Sequence, residues 1–169
     1  LGDVYKRQLF FDDQGSLKMN DLVHEEALTW IGKSDPPTEV EVTRRDIVKY
    51  AAATEQELDK FTKGDEAPPM FVAGLSREII PIDDLGDDGL PPASLIPELP
   101  LKRVMAGGVS FRFHRSVKPG DILIFTRTLS NIVEKRGKTG PLIFITYSIT
   151  CKTKNGEPVL DQEQTRILR

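Results

Sequence analysis

Residues able to move a proton or attack a carbonyl are scarce in this chain. Its 169 residues include two histidines, His24 and His114, and a single cysteine, Cys151. Imidazole suits general acid–base work near neutral pH, and a thiolate is a ready nucleophile or metal ligand. His24 stands beside Glu25 in a segment with helical spacing and reads as a solvated surface residue. His114 alternates onto the polar side of an extended run, which fits a structural or interface role. Cys151 shares its side of another run with Ile143 and Tyr147 and reads as inert core. A lone cysteine excludes an intrachain disulfide and a multi-cysteine zinc site. One further feature could serve a ligand. Gly107-Gly108 either lets a ligand or partner backbone come close or marks a bulge.

These residues belong to a chain long enough for one domain with a real core. Apolar content of 38% and charged content of 29% suit a soluble globular protein. A net charge of −3 gives no global attraction to nucleic acid or to an anionic membrane. No run approaches the ~18 apolar residues of a transmembrane helix, and no signal-peptide pattern is present. The expected location is therefore cytoplasmic.

The elements that must position the candidates follow in order. Asn20 to Ile31 is a predicted helix capped by Asn20, with Leu22, Val23, Leu28, Trp30 and Ile31 apolar. Pro36-Pro37 lies in a linker, and Thr38 to Val42 is a short strand. Thr43 caps a second helix with Asp46 as its partner, and Ile47, Val48, Tyr50 and Ala51 supply the buried side. Glu55 to Phe61 is a separate, more polar turn of helix. From Pro68 the apolar positions Met70, Phe71, Val72, Leu75, Ile79 and Ile80 go round much of the circumference, the pattern of a buried helix. Pro81 ends it, and 82–100, rich in Asp, Gly and Pro, is a long loop.

Four extended runs complete the chain. Val109 to Val117 sets Val109, Phe111, Phe113 and Val117 against Ser110, Arg112, His114 and Ser116. Lys118-Pro119-Gly120-Asp121 turns the chain into the run Ile122 to Val133. Arg136 to Gly140 is the next turn. Leu142 to Thr153 then alternates Ile143, Ile145, Tyr147, Ile149 and Cys151 with Phe144, Thr146, Ser148 and Thr150. Asn155-Gly156 predicts a type I′ hairpin turn, and Pro158 to Leu168 closes an antiparallel meander. Periodicity thus gives an α+β domain with a four-stranded meander.

Three markers carry a more specific resemblance: Met105-Ala106-Gly107-Gly108, the stretch from His114-Arg115 to Pro119-Gly120-Asp121, and Arg136-Gly137-Lys138-Thr139-Gly140-Pro141-Leu142. Val42 to Thr54 and Ala67 to Phe71 add to it. The segment 38–169 resembles the N-terminal, FAS1-like dehydratase half of MaoC-like acyl-CoA hydratases, in the branch of mesaconyl-CoA and 3-methylfumaryl-CoA hydratases. The resemblance implies a hot-dog fold, an antiparallel sheet wrapped round a central helix. It implies addition or removal of water across an enoyl thioester, with an acyl-CoA as substrate and no cofactor. In that chemistry an Asp/His pair, spaced Asp-x-x-x-x-His after the first helix, holds the water and shuttles the proton. A helix N-terminus polarises the thioester oxygen.

The matching stretch here, Thr54 to Phe61, contains no histidine, and neither His24 nor His114 has an aspartate five positions before it. No catalytic residue is therefore assigned. The implied substrate-binding residues are Pro69, Met70 and Phe71 at the helix start, Lys102 and Arg103, and Gly107 and Gly108. Lys102-Arg103, with Arg112 and Arg115, either attracts the phosphates of coenzyme A or forms a solvated basic face. The expected partner is a dyad-bearing MaoC-like hot-dog domain or subunit, in a homo- or hetero-oligomer. The alternative is an acyl-CoA-binding or structural hot-dog protein without hydratase activity. Residues 1–8, LGDVYKRQ, read as a non-native scar, so a native N-terminus is expected to be missing. Residues 9–37 form an extension with a helix and a Pro-containing linker, and a second fused domain could follow Arg169.

Overall fold

A computed structural model describes residues 22–77, 79–86, 89, 91–92 and 94–169. Among these residues five strands make one antiparallel sheet: β1 (Thr38–Glu41), β2 (Val104–Phe113), β3 (Ile122–Gly137), β4 (Gly140–Thr153) and β5 (Pro158–Leu168). Their spatial order is β1-β3-β4-β5-β2. This corrects the expected meander. Only β3, β4 and β5 are sequential neighbours, while β2 pairs with β5 at the far edge and β1 takes the free side of β3. The chain from His114 to Asp121 is consequently no hairpin; it carries the chain from one side of the sheet to the other. Its turn is as expected, with Gly120 at φ 88 after Pro119.

The period-two reading holds on β4, where Ile143, Ile145, Tyr147, Ile149 and Cys151 are all buried and their neighbours are not. On β2 it holds less well. The strand begins at Val104 and ends at Phe113, and Val109 and Phe113 are 54% and 40% exposed, because β2 is an edge strand. The β3–β4 connection is tighter than expected, with Gly137 paired to Gly140. The β4–β5 turn is not type I′. Gly156 N–H bonds to Thr153 O and only Gly156 has positive φ, so a type I turn is followed by a glycine in the left-handed region.

Among the described residues four short α-helices accompany the sheet: α1 (Glu25–Leu28), α2 (Arg44–Ala53), α3 (Asp59–Thr62) and α4 (Pro69–Leu75). Helix α1 is shorter than predicted, and the expected cap Asn20 lies outside the described residues, as do residues 1–8. The cap is instead His24, whose Nδ1 accepts from Ala27 N–H. Thr43 caps α2 as expected, its hydroxyl oxygen accepting from Asp46 N–H at 3.1 Å. Ile47 and Ala51 are buried, but Val48 is 37% exposed. Helix α4 departs most from expectation: it has seven residues, buries Phe71 and Val72, leaves Met70 exposed and stops before the exposed Ile79.

The core divides in two. Phe71 and Val72 of α4 and Ile47 of α2 pack with Leu123, Phe125, Ile149, Cys151 and Leu160 at one end of the sheet. Val23, Ala27 and Leu99 cover Leu129, Ile132, Ile143, Ile145 and Tyr147 at the other. No helix among the described residues is long and apolar enough to cross a membrane.

Candidate functional site

The start of α4 is fixed by Ala67 N–H donating to Val117 O at 2.8 Å. Pro68 and Pro69 have no N–H to offer, and Phe71 N–H bonds back to Pro68 O, so Met70 N–H is the donor left without a helical acceptor. Beside this end lies a cleft of about 360 Å³, walled by Pro69, Val72 and Phe113 and floored by Ala67 and Val117. Lys60 and Glu66 form an ion pair at its edge, 2.5 Å apart. The Lys60 ammonium holds the Glu66 carboxyl below its ordinary value, helped by Ser116 and Lys118. His114 reaches the rim, where its Nε2 lies 2.8 Å from an Asp161 oxygen.

The stretch His114 to Asp121 forms a clamp across the end of the sheet. Arg115 donates both terminal nitrogens to the two oxygens of Asp121, each at 2.9 Å, and Lys118 N–H donates to the same carboxylate. Val42 N–H bonds to Asp121 O and Gly120 N–H to Val42 O, so the clamp also fixes the end of β1. Within this stretch Arg115 is held by Asp121.

Residues 29–162 match the family described as the FAS1-like, dehydratase domain region. The chain belongs to that family. Over 120 residues this FAS1-like dehydratase domain is 28% identical to mesaconyl-C(4)-CoA hydratase of Chloroflexus aurantiacus. That alignment covers 70% of this chain and 42% of the hydratase, so the chain spans less than half the relative's length. Solved structures share the fold. The ChsH1–ChsH2 complex of Mycobacterium tuberculosis superposes with a TM-score of 0.61 at 18% identity, covering 85% of this chain and 94% of that one. The R-hydratase PhaJ1 of Pseudomonas aeruginosa gives 0.55 at 18%, covering 82% and 81%. The fold is thus the MaoC-like hot dog.

Within this FAS1-like domain the residues expected to bind substrate do not converge. Pro69 lines the cleft described above, Met70 is 47% exposed beside it, and Phe71 is core, edge-on to Tyr50 at 5.5 Å. Lys102 lines a different cleft of about 390 Å³, with His24, Glu98 and Leu99, and stands 4.0 Å from Glu98. Arg103 exchanges backbone hydrogen bonds with Arg169. Gly107 and Gly108 form a β-bulge: Ala106 faces Arg166 and Val109 faces Gln164, leaving one residue extra on β2. A Cβ on Gly107 would stand 2.6 Å from Thr165 O, whereas Gly108 faces open space. The basic residues are likewise dispersed, with Arg112 opposite Asp161 on β2.

The stretch matching the family's dyad segment holds Glu55 in the left-handed region and then α3, where Asp59 pairs with Lys63 in solvent. His24 Nε2 lies 3.0 Å from Glu98 O. Among the described residues, no group of three or more His, Cys, Asp or Glu side chains could hold a metal ion.

A set of residues not singled out from the sequence lies mid-sheet. Arg127 on β3, Tyr147 on β4 and Gln162, Gln164 and Arg166 on β5 share the inner face. The Arg127 and Arg166 guanidinium carbons lie 4.8 and 5.6 Å from the Tyr147 ring centre. Arg127 donates to Ser94 O at 2.8 Å, and its Nε stands 3.0 Å from Asp35 Oδ2 but out of line for a hydrogen bond. The sequence does carry a signal for this set: Gln162, Gln164 and Arg166 are spaced by two on a strand whose other same-side residues are Leu160 and Leu168.

Proposed function

We propose that this chain is the non-catalytic, substrate-binding hot-dog half or subunit of an enoyl-thioester hydratase or 3-hydroxyacyl-thioester dehydratase. Its substrate is an acyl-CoA, and the Asp/His dyad comes from a partner domain or subunit. Hydration needs a base to take a proton from water as its oxygen attacks C3, and an acid to protonate C2, next to the carbonyl. It also needs donors for the negative charge that develops on the thioester oxygen. The observation that carries the reading is that neither imidazole is poised for this work. His24 caps α1 and contacts Glu98 O, while His114 is paired to Asp161, whose side chain is 52% exposed at the rim of the sheet. Beside α4 the two prolines leave few N–H donors at the helix start, and Met70 N–H is one without a helical acceptor. The 28% identical hydratase and the mycobacterial two-protein complex support a setting in which such a domain works beside another.

The test is hydration of crotonyl-CoA, followed by loss of enoyl absorbance. The purified chain should not exceed the no-protein control, and adding a hot-dog protein that carries Asp-x-x-x-x-His should restore turnover. Robust turnover by the chain alone, abolished in His114→Ala, would overturn the reading in favour of the His114–Asp161 pair.

A further inference from the structure

Two short pieces of chain, far apart in sequence, lie over the second core cluster. One is α1 with the residues just before it, which buries Val23 and Ala27; the other is the approach to β2, residues 95–101, which buries Leu99. Among the described residues no backbone hydrogen bond joins them. What joins them is the His24 side chain. Its Nδ1 accepts from Ala27 N–H at 3.1 Å, and its Nε2 lies 3.0 Å from Glu98 O.

These two partners fix the state of the ring. A backbone N–H can only donate, so Nδ1 meets it with a lone pair; a carbonyl oxygen can only accept, so Nε2 carries the hydrogen. His24 is thereby held as one neutral tautomer. An added proton has Nδ1 as its place, and there it sets one N–H against another across 3.1 Å. Ala27 N–H keeps its bond to His24 O at 3.0 Å, so the first turn of α1 survives and the loss falls on the ring's anchorage. The charged groups around the ring are Glu25 and Glu26 of α1, Glu98 and Lys102 of the approach to β2, and Glu134 of β3. Glu134 accepts from Leu22 N–H at 3.2 Å, and Lys102 stands 4.0 Å from Glu98. Both ring nitrogens are taken by backbone groups, so none of these carboxylates is bonded to His24.

We propose that His24 is a pH-sensitive latch. In its neutral form it fastens α1 to the approach to β2. On taking a proton from solvent at Nδ1 the ring swings away from Ala27, releases Glu98 O and lets the two covers part. The cleft between them, with Leu22 and Leu99 in its walls, then deepens toward the core cluster beneath. The latch is independent of the function proposed above.

Trp30 is the chain's single tryptophan, and it packs half-buried on the same cluster directly after α1. Its fluorescence in the full chain, recorded from about pH 8 down to about pH 5, the span in which histidine changes charge, reads the latch. On acidification the emission should move to longer wavelength and acrylamide should quench it more strongly, both reversing when the pH is restored. His24→Asn, which can still cap α1 but takes up no proton, should show neither change. His114→Asn, which removes the other imidazole, should respond as the parent does. Circular dichroism at both ends of the range verifies that parent and variants stay folded. A parent whose emission and quenching stay constant across that range would overturn the latch. So would a response that persists in His24→Asn, and one lost in His114→Asn alone would belong to the His114–Asp161 pair instead.

Discussion

Asp121 and Cys151 illustrate how differently single residues serve the domain. Asp121 gathers two guanidinium nitrogens and a backbone N–H, and its own backbone holds Val42. Cys151 makes no such bonds. It is buried between strands, and burial pushes its thiol up to about 12 from an ordinary 9. That shift has a sign. A thiol that ionises at a higher pH folded than unfolded lends stability that is complete below pH 9. The contribution is then lost as pH rises from 9 towards 12, because the unfolded chain releases its proton first. Replacing Cys151 with Ala should therefore flatten the alkaline loss of stability by about 1.4 kcal/mol per pH unit in that window. Denaturant melts of parent and variant between pH 8 and about 11 check it, the pH range following the linkage argument. Parallel curves would show that the thiol ionises freely in the folded chain. The burial of Cys151 was legible in the sequence, since period two alone puts it with Ile143 and Tyr147. For Gln162, Gln164 and Arg166 period two gives the side they share with Leu160 and Leu168, but their meeting with Arg127 and Tyr147 depends on register across three strands, which no local pattern reveals.

At the scale of elements, α4 marks where local reading overreached. Its apolar residues continue to Ile80, yet the helix ends at Leu75 and buries only one side. An apolar circumference is the mark of a helix enclosed on all sides, and here the described residues enclose it on one. The consequence is an asymmetry in cost. Phe71 is 5% exposed within the core cluster, so Phe71→Ala should cost about 3–5 kcal/mol. Leu75 is half-buried against the same cluster, and Leu75→Ala should cost under about 2 kcal/mol. Chemical denaturation of the two variants measures both, and equal losses would contradict the packing described. The starts of α2 and α4 fall where the sequence puts them, whereas α1 and α3 begin later than expected. The Thr43 cap was readable because hydroxyl and N–H lie within one turn, whereas the stop at Leu75 depends on contacts distant in sequence. The order of strands was out of reach for the same reason: β2 and β5 each alternate as strands, but their pairing joins Val104 to Leu168.

For the molecule as a whole, the two edges of the sheet are not equivalent. β1 has four residues, two of them glutamates, and Lys154 stands 3.5 Å from Glu39. A short, charged strand discourages further pairing. β2 has ten residues, no partner on its outer side among the described residues, and Val104, Val109 and Phe113 exposed at 51%, 54% and 40%. The exposed Met70 stands next to Phe71, in the same core cluster as Phe111 of β2. Edge strands of this kind are normally paired or covered. The bulge at Gly107-Gly108 interrupts the ladder to β5 but leaves Gly108 facing open space, where another backbone can approach. Association should therefore run along β2, with a second copy or with the dyad-bearing hot-dog protein. Size exclusion with light scattering at micromolar concentration should return a mass above that of one chain. Val109→Glu should return the mass of a monomer with an unchanged circular dichroism spectrum, since Val109 is exposed and the ion it introduces meets no core. The equivalent change on the other edge, Val40→Glu, is no control, because Val40 packs against the core. Glu39→Lys is, and it should leave the assembly intact. A parent chain that stays monomeric, both alone and with the dyad-bearing protein, would contradict pairing along β2.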